Sequence, residues 1–346
     1  MVSFRTLQLL PVWIGLAGIV ACSEDGGIQD GMQPRPRSVT VVFSPDGLGD
    51  NGYNDLILRG VLRFAEAHAD VATRLCMPET LEEARLIADG WYRNGEEGRS
   101  LLVLAASDYV ELAREELRGL PLDSSWRQVL LFESGRLDSV PVSTFMVSTY
   151  GAAWMAGVCA AQIAQTPLVV LANGRDSVLK RSYDGFVGGF RFALGDEGLV
   201  VDSACLSVGN DGFAMENEAY RQMGEWAERY DFVFPVAGGS NMGIYRYLRE
   251  YPYGRIYTAG MDVDQSILCN NIIGSVEKSM DRIVEQYLED WAAGTPLPKH
   301  CRFGWNDEGA DWQISTNFQE FFGEWPDNFR AIAGQEEETY ENQIVY

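Results

Sequence analysis

The chain has 346 residues, 46% of them hydrophobic and 12% aromatic, with a formal charge of −23. There is ample apolar material for two cores, and a negative charge of that size argues against nucleic acid and against electrostatic adhesion to anionic lipid. Two distant histidines, His68 and His300, and the lack of any Cys-x-x-Cys pair leave a zinc site almost unsupported.

The chain opens with Arg5, an apolar stretch from Leu7 to Val20, and then Ile19-Val20-Ala21-Cys22. A positive start, a short apolar core and small residues before a cut describe an export signal over residues 1–21, because a membrane span needs roughly 20 apolar residues. A cysteine at that cut resembles a bacterial lipobox, so Cys22 is the expected lipidation site. The mature chain is then about 325 residues long, a length that suits two domains. Residues 22–37, rich in Gly, Pro and acidic side chains, read as a flexible tether. Of the other cysteines, Cys269 and Cys301 flank one helical segment and are the pair considered for a bridge.

From Ser38 onward, short apolar runs alternate with amphipathic stretches. Strands are expected at 38–43, 71–76, 101–105 and 128–132, with helices at 54–67, 81–92 and 109–117 between them. The rhythm restarts after Val142: strand 145–148, helix 151–164, strand 168–171, helix 178–193, strand 199–206, helix 214–228, strand 232–236, helix 242–249 and strand 255–259. Such alternation predicts an α/β fold with parallel sheets covered on both faces. Two halves in succession suggest two lobes and a hinge, with residues 38–146 plus 272–297 forming lobe 1 and 147–271 plus 298–346 forming lobe 2. The acidic tail 335–346 reads as mobile.

Ligands of such sheets bind beyond the carboxyl ends of the strands. After the first strand stands Asp50-Asn51-Gly52-Tyr53-Asn54, where Asn54 suits a helix cap while Asp50 and Tyr53 face the cleft. Asp108 follows the third strand as a helix N-cap or a ligand contact. Ala237-Gly238-Gly239 allows close approach of a ligand to backbone amides, but no Lys-Ser/Thr follows to complete a phosphate loop. Asp262 is placed to accept hydrogen bonds from vicinal hydroxyls, and Lys278 stands at another strand-to-helix junction. No nucleophile elbow, zinc-protease motif or calcium loop is present, and two histidines give a Ser-His-Asp triad little to draw on. No catalytic residue, metal or cofactor is therefore expected.

Six of these segments, in order, resemble the basic membrane protein family, the PnrA-like purine nucleoside receptor lipoproteins of ABC transporters. They are Asp50-Asn51-Gly52-Tyr53-Asn54, Trp154-Met155-Ala156-Gly157, the helix from Tyr183 through Gly185-Phe186, Asp231–Gly239, Gly260–Gln265, and Ser275-Val276-Glu277-Lys278. The resemblance implies a type I periplasmic binding protein fold, two doubly wound lobes on a hinge. It also implies an aromatic sandwich of Tyr53 and Phe234 around a base, Asp262 and Lys278 on the ribose hydroxyls, Gly238 close to the ligand, and Asp50, Asn54, Asp108 and Tyr183 as further contacts. Tyr53 replaces a family phenylalanine, and Glu277 is positioned to neutralise Lys278 in part. The expected protein is a monomeric, non-enzymatic receptor with a small-molecule ligand and an ABC permease partner, lipid-anchored in the cell envelope at the periplasmic face or the cell surface. A sugar receptor on the same fold and a surface capture or adhesion module are the alternatives.

Overall fold

The computed structural model describes residues 36–93, 98–118, 126–252 and 254–344. The expected export signal, Cys22 and the tether up to residue 35 lie outside the described residues.

In chain order the first half comprises β1 (Arg37–Val42), α1 (Tyr53–Ala67), β2 (Val71–Cys76), α2 (Leu81–Arg93), β3 (Arg99–Leu104), α3 (Val110–Glu116), β4 (Arg127–Phe132) and β5 (Ser143–Val147). The second half runs α4 (Tyr150–Ala160), β6 (Pro167–Asn173), α5 (Ser177–Leu194), β7 (Asp202–Ser207), α6 (Glu216–Trp226), β8 (Phe232–Val236), α7 (Asn241–Glu250), β9 (Tyr257–Asp262) and β10 (Ile272–Lys278). The chain then crosses between halves through α8 (Met280–Ala293), β11 (His300–Phe303), β12 (Ala310–Ile314), α9 (Gln319–Phe322) and α10 (Arg330–Gln343).

Among the described residues these strands form two sheets, ordered β11-β5-β4-β3-β1-β2 and β12-β10-β9-β8-β6-β7. All pairings are parallel except β10 with β12. Leu101 to Leu104 on β3 are all fully buried, the mark of a strand covered on both faces. Helix α1 buries Leu56, Ile57, Val61 and Phe64 at helical spacing. Helix α4 is buried on every side, which its run of Gly and Ala permits. It lies so close to α5 that a Cβ on Gly189 would stand 1.8 Å from the Trp154 carbonyl oxygen.

Three expectations are corrected. The segment 272–297, assigned to lobe 1, divides between the lobes. Strand β10 pairs with β9 in the second sheet, while α8 packs on α1, where a Cβ on Gly60 would lie 2.3 Å from the Asp281 carbonyl oxygen. Conversely, β11 from 300–303 joins the first sheet beside β5. Alternation in sequence reveals strands but not which sheet a returning strand enters. Cys269 and Cys301 are both free thiols, one beside β10 in the second lobe and the other on β11 in the first. The tail, expected to be mobile, is the helix α10, ordered through Gln343. Its Glu337 accepts the backbone N–H groups of Gly151 and Trp305, each at 2.8 Å. Glu341 accepts from Ser148 Oγ at 2.7 Å and Arg181 Nε at 2.8 Å. Since 147–150 and 303–310 are two of the crossings between lobes, α10 is fastened to the hinge.

Candidate ligand chamber

A chamber of about 260 Å³ lies between the lobes, walled by the residues that follow the strands. In lobe 1, Asp50 folds the loop before α1. Its carboxylate accepts the N–H groups of Gly52 at 2.9 Å and Asn54 at 2.8 Å, and also the Asn54 side-chain amide at 3.1 Å. Asp50 thus supplies the cap expected of Asn54. With its Nδ2 held in this way, Asn54 is 3% exposed and its Oδ1 is buried without a partner. Tyr53 lines the same wall, with Lys278 Nζ 5.2 Å from its ring centre. The Tyr53 hydroxyl is buried and unpartnered. Burial, reinforced by the negative fields of Glu133 and Asp262, drives its pKa well above the ordinary tyrosine value.

Lys278 is the chamber's cation. Its Nζ lies 3.1 Å from Glu133 Oε1 and 3.7 Å from Asp262 Oδ1, with all three side chains nearly buried. Burial disfavours the ammonium, but Glu133 and Asp262 outweigh it and hold the lysine pKa above its usual value. Glu277 does not supply the neutralisation expected of it. It alternates with Lys278 along β10, as successive strand residues must, stands in register with both Asp262 of β9 and Asp311 of β12, and feels chiefly the charges of Asp264 and Asp311. Asp262 has φ +69°, a left-handed conformation uncommon for a non-glycine residue, at the end of β9. Burial raises its pKa to about 6 despite Lys278.

The Asp108 carboxylate is not the helix cap that its place after β3 suggests. Its Oδ2 accepts from Ser44 Oγ at 3.2 Å, and Oδ1 is buried without a partner. Burial first, then the nearby Asp46, lifts the Asp108 pKa to about 7. Asp46 itself is raised to about 6, again mainly by burial.

In lobe 2, Gly238 has φ +53°, and a Cβ there would meet the Phe213 ring at 2.9 Å. Its lack of a side chain makes room for that ring as well as lining the chamber. Asp176 caps α5 through Val178 N at 2.7 Å and also borders the chamber.

The chamber therefore brings together Asp50, Tyr53, Asn54, Asp108, Gly238, Asp262 and Lys278. Two expected contacts fall elsewhere. Phe234 is fully buried in the core, its ring 4.6 Å from that of Phe186 and nearly parallel to it, because it alternates to the helix-covered face of β8. Tyr183 sits one position past Ser182, which lines the chamber, and the helical rotation of about 100° per residue carries it to the flank of α5. The aromatic residue that lobe 2 does present is Phe213, after β7. Glu133, Asp176 and Phe213 all follow strands, so their position marked them although their residue types did not.

Among the described residues no cluster of three or more His, Cys, Asp or Glu side chains is arranged to hold a metal ion, and no helix is long and apolar enough to cross a membrane. The chamber's polar atoms are chiefly acceptors, suited to hydroxyl and amino donors, set around one cation and an aromatic face.

No protein-family profile matches the chain, and no curated protein matches it. Solved structures do. An ABC transporter solute-binding protein from Aeropyrum pernix K1 is 21% identical over 88% of this chain and 86% of its own, with a TM-score of 0.66. A glucose-galactose binding protein from Geobacillus stearothermophilus is 14% identical over 81% of this chain and 97% of its own, with a TM-score of 0.58. A periplasmic binding protein/LacI transcriptional regulator from Alkaliphilus metalliredigens, complexed with D-xylulofuranose, is 13% identical over 81% and 99%, with a TM-score of 0.59. The fold is that of type I periplasmic binding proteins. At these identities the likeness speaks for the fold alone.

Proposed function

We propose that this protein is a lipid-anchored, extracytoplasmic solute receptor that closes its two lobes on a purine nucleoside or a similar ring-plus-sugar ligand and delivers it to an ABC-type permease. The observation that carries this reading is the chamber between the lobes, where a half-buried aromatic face stands beside a Lys278–Asp262–Glu133 cluster. Tyr53 offers its ring to a flat heterocycle, and Phe213 is the aromatic residue on the opposite lobe. Offset stacking contributes roughly 0.5–1.5 kcal/mol per ring beyond area burial. Asp262 and Lys278 are the pair for vicinal hydroxyls, one accepting and one donating. The order of motifs from Asp50 to Lys278 and the binding-protein fold support the same assignment.

Isothermal calorimetry against adenosine, guanosine, inosine and free pentoses and hexoses tests it. Binding of at least one nucleoside is expected, and silence from every nucleoside at millimolar concentration would remove the nucleoside reading. A sugar receptor is the second reading, favoured by neighbours in fold space that bind glucose and galactose or hold D-xylulofuranose. Tighter binding of a free sugar than of any nucleoside would select it. The anchor at Cys22 is tested separately. Fatty-acid labelling in the producing cell should mark the wild type and not Cys22→Ala, and protease treatment of whole cells then distinguishes an outward-facing receptor from a periplasmic one.

A further inference from the structure

Seven carboxylates line the chamber against the single ammonium of Lys278 among its lining residues, and most of them are already engaged. Asp50 and Asp176 hold the backbone N–H groups that begin α1 and α5. Glu133 and Asp262 face Lys278. Glu216 pairs with Arg246 at 3.1 Å. Asp46 and Asp108 remain, and the side-chain donor that both approach is one hydroxyl, Ser44 Oγ, at 3.0 and 3.2 Å. A hydroxyl has one hydrogen, so it can serve only one of the two at a time. Asp108 Oδ1 is left buried with no partner, and so is Oδ1 of Asn54, a residue 3% exposed that lines the same chamber. The site thus carries an uncompensated pair of carboxylates and a buried amide oxygen, each an acceptor that costs free energy until a donor arrives.

We propose that the solute carries a protonated amine and that Asp46 and Asp108 are its counter-charges, with Asn54 Oδ1 as a further acceptor. This rests on the receptor reading above and narrows it to amino-substituted sugars or nucleosides. An ammonium group has three donors and one positive charge, which answers both deficits at once. A bare metal ion does not suit the site, since no metal-holding cluster exists among the described residues. Anionic solutes are disfavoured by the same acidic surroundings. The titration of the pair agrees. Burial raises both groups, aided by the charges of Asp50 and Asp211 at Asp46 and of Asp46 and Asp176 at Asp108, to about 6 and about 7. Asp108 is therefore partly protonated near neutrality and Asp46 at slightly lower pH, and an incoming ammonium displaces those protons.

Calorimetry with two matched pairs tests this: 6-amino-6-deoxyglucose against glucose, and 5′-amino-5′-deoxyadenosine against adenosine, at pH 5.5 and 7.5. At least one amine is expected to bind about tenfold or more tightly than its parent at pH 7.5. That preference should shrink at pH 5.5, where both carboxyls are protonated, while the parent's affinity stays level. Repeating the titration near pH 6.5 in buffers of different ionisation heat should show proton release for the amine alone. Asp108→Asn, with its fold verified by circular dichroism, should bring the amine to within about twofold of the parent. The wild-type pH profile stands even if that variant fails to fold. If the parents bind and neither amine binds more tightly, or if the preference persists unchanged at pH 5.5, the amine assignment is overturned and the receptor reading survives. If neither parents nor amines bind at millimolar concentration, both fall together.

Discussion

Lys278 shows how a single side chain can organise the chamber. It answers Glu133 from the other lobe and Asp262 from its own, so its removal leaves two buried carboxylates without a cation. Lys278→Met should cost about 3–5 kcal/mol of stability at neutral pH, measured by urea unfolding, and less near pH 5, where Asp262 accepts a proton instead. Asp262 carries a complementary prediction about ligands. Asp262→Ala should weaken a ribonucleoside far more than its free base, and equal losses in calorimetry would count against a role on the hydroxyls. The raised carboxyls also set a pH trend. Folded pKa values of about 6 for Asp46 and Asp262 and about 7 for Asp108 exceed the ordinary aspartate value. Between roughly pH 4 and pH 7 the folded protein therefore binds more protons than the unfolded chain, and these groups reduce stability as pH rises. Asp108→Asn removes one of them, so its melting temperature relative to wild type should climb from pH 5 to pH 8. A difference that stays flat would place the Asp108 carboxyl in the ordinary range.

Helices α4 and α5 pack at backbone distance, and glycine is the residue that allows it. A Cβ on Gly157 would stand 2.1 Å from the Phe186 carbonyl oxygen, and one on Gly189 would stand 1.8 Å from that of Trp154. Gly189→Ala must push two backbones apart, and a loss of about 3 kcal/mol or more is expected on thermal or chemical unfolding. Helix α10 depends on charge instead. Glu341 is fully buried against Arg181, at a side-chain exposure of 3%. Glu341→Ala removes the buried carboxylate that Arg181 and Arg302 share, with a predicted cost of about 3–5 kcal/mol. A loss below about 1 kcal/mol would mean that water or another carboxylate takes its place.

At the scale of the molecule, polar contacts join the lobes at the chamber, while one apolar core runs through both. Besides Lys278 with Glu133, Gln265 Nε2 donates to the Asn51 carbonyl oxygen at 3.2 Å, and Ser107 Oγ to Asp176 at 3.5 Å. Such contacts are of the kind that a hinge motion can break and remake. Glu133→Ala removes the charged member. Its ligand-free form should show a larger radius of gyration than wild type by small-angle scattering, with the difference abolished by a saturating ligand. Identical profiles would show that the ion pair does not govern closure.

The alternation of apolar runs with amphipathic stretches determined the two-lobed α/β architecture, because burial on both faces of a parallel sheet and on one stripe of a helix writes a local period into the chain. The rule that ligands gather beyond strand ends likewise picked out Asp50, Tyr53, Asn54, Asp108, Gly238, Asp262 and Lys278, since strand ends are also legible locally. Other features needed the tertiary structure. Phe234 and Phe213 have the same side chain, and only sheet register and loop path decide that one enters the core and the other the chamber. Glu133 is an ordinary acid in sequence until folding sets it 3.1 Å from Lys278, 145 residues away. The tail looks like a solvated acidic segment until Glu337 and Glu341 find the hinge. Periodicity is a property of neighbours in the chain, whereas charge pairing, burial of a chosen face and the sheet a strand joins depend on neighbours in space.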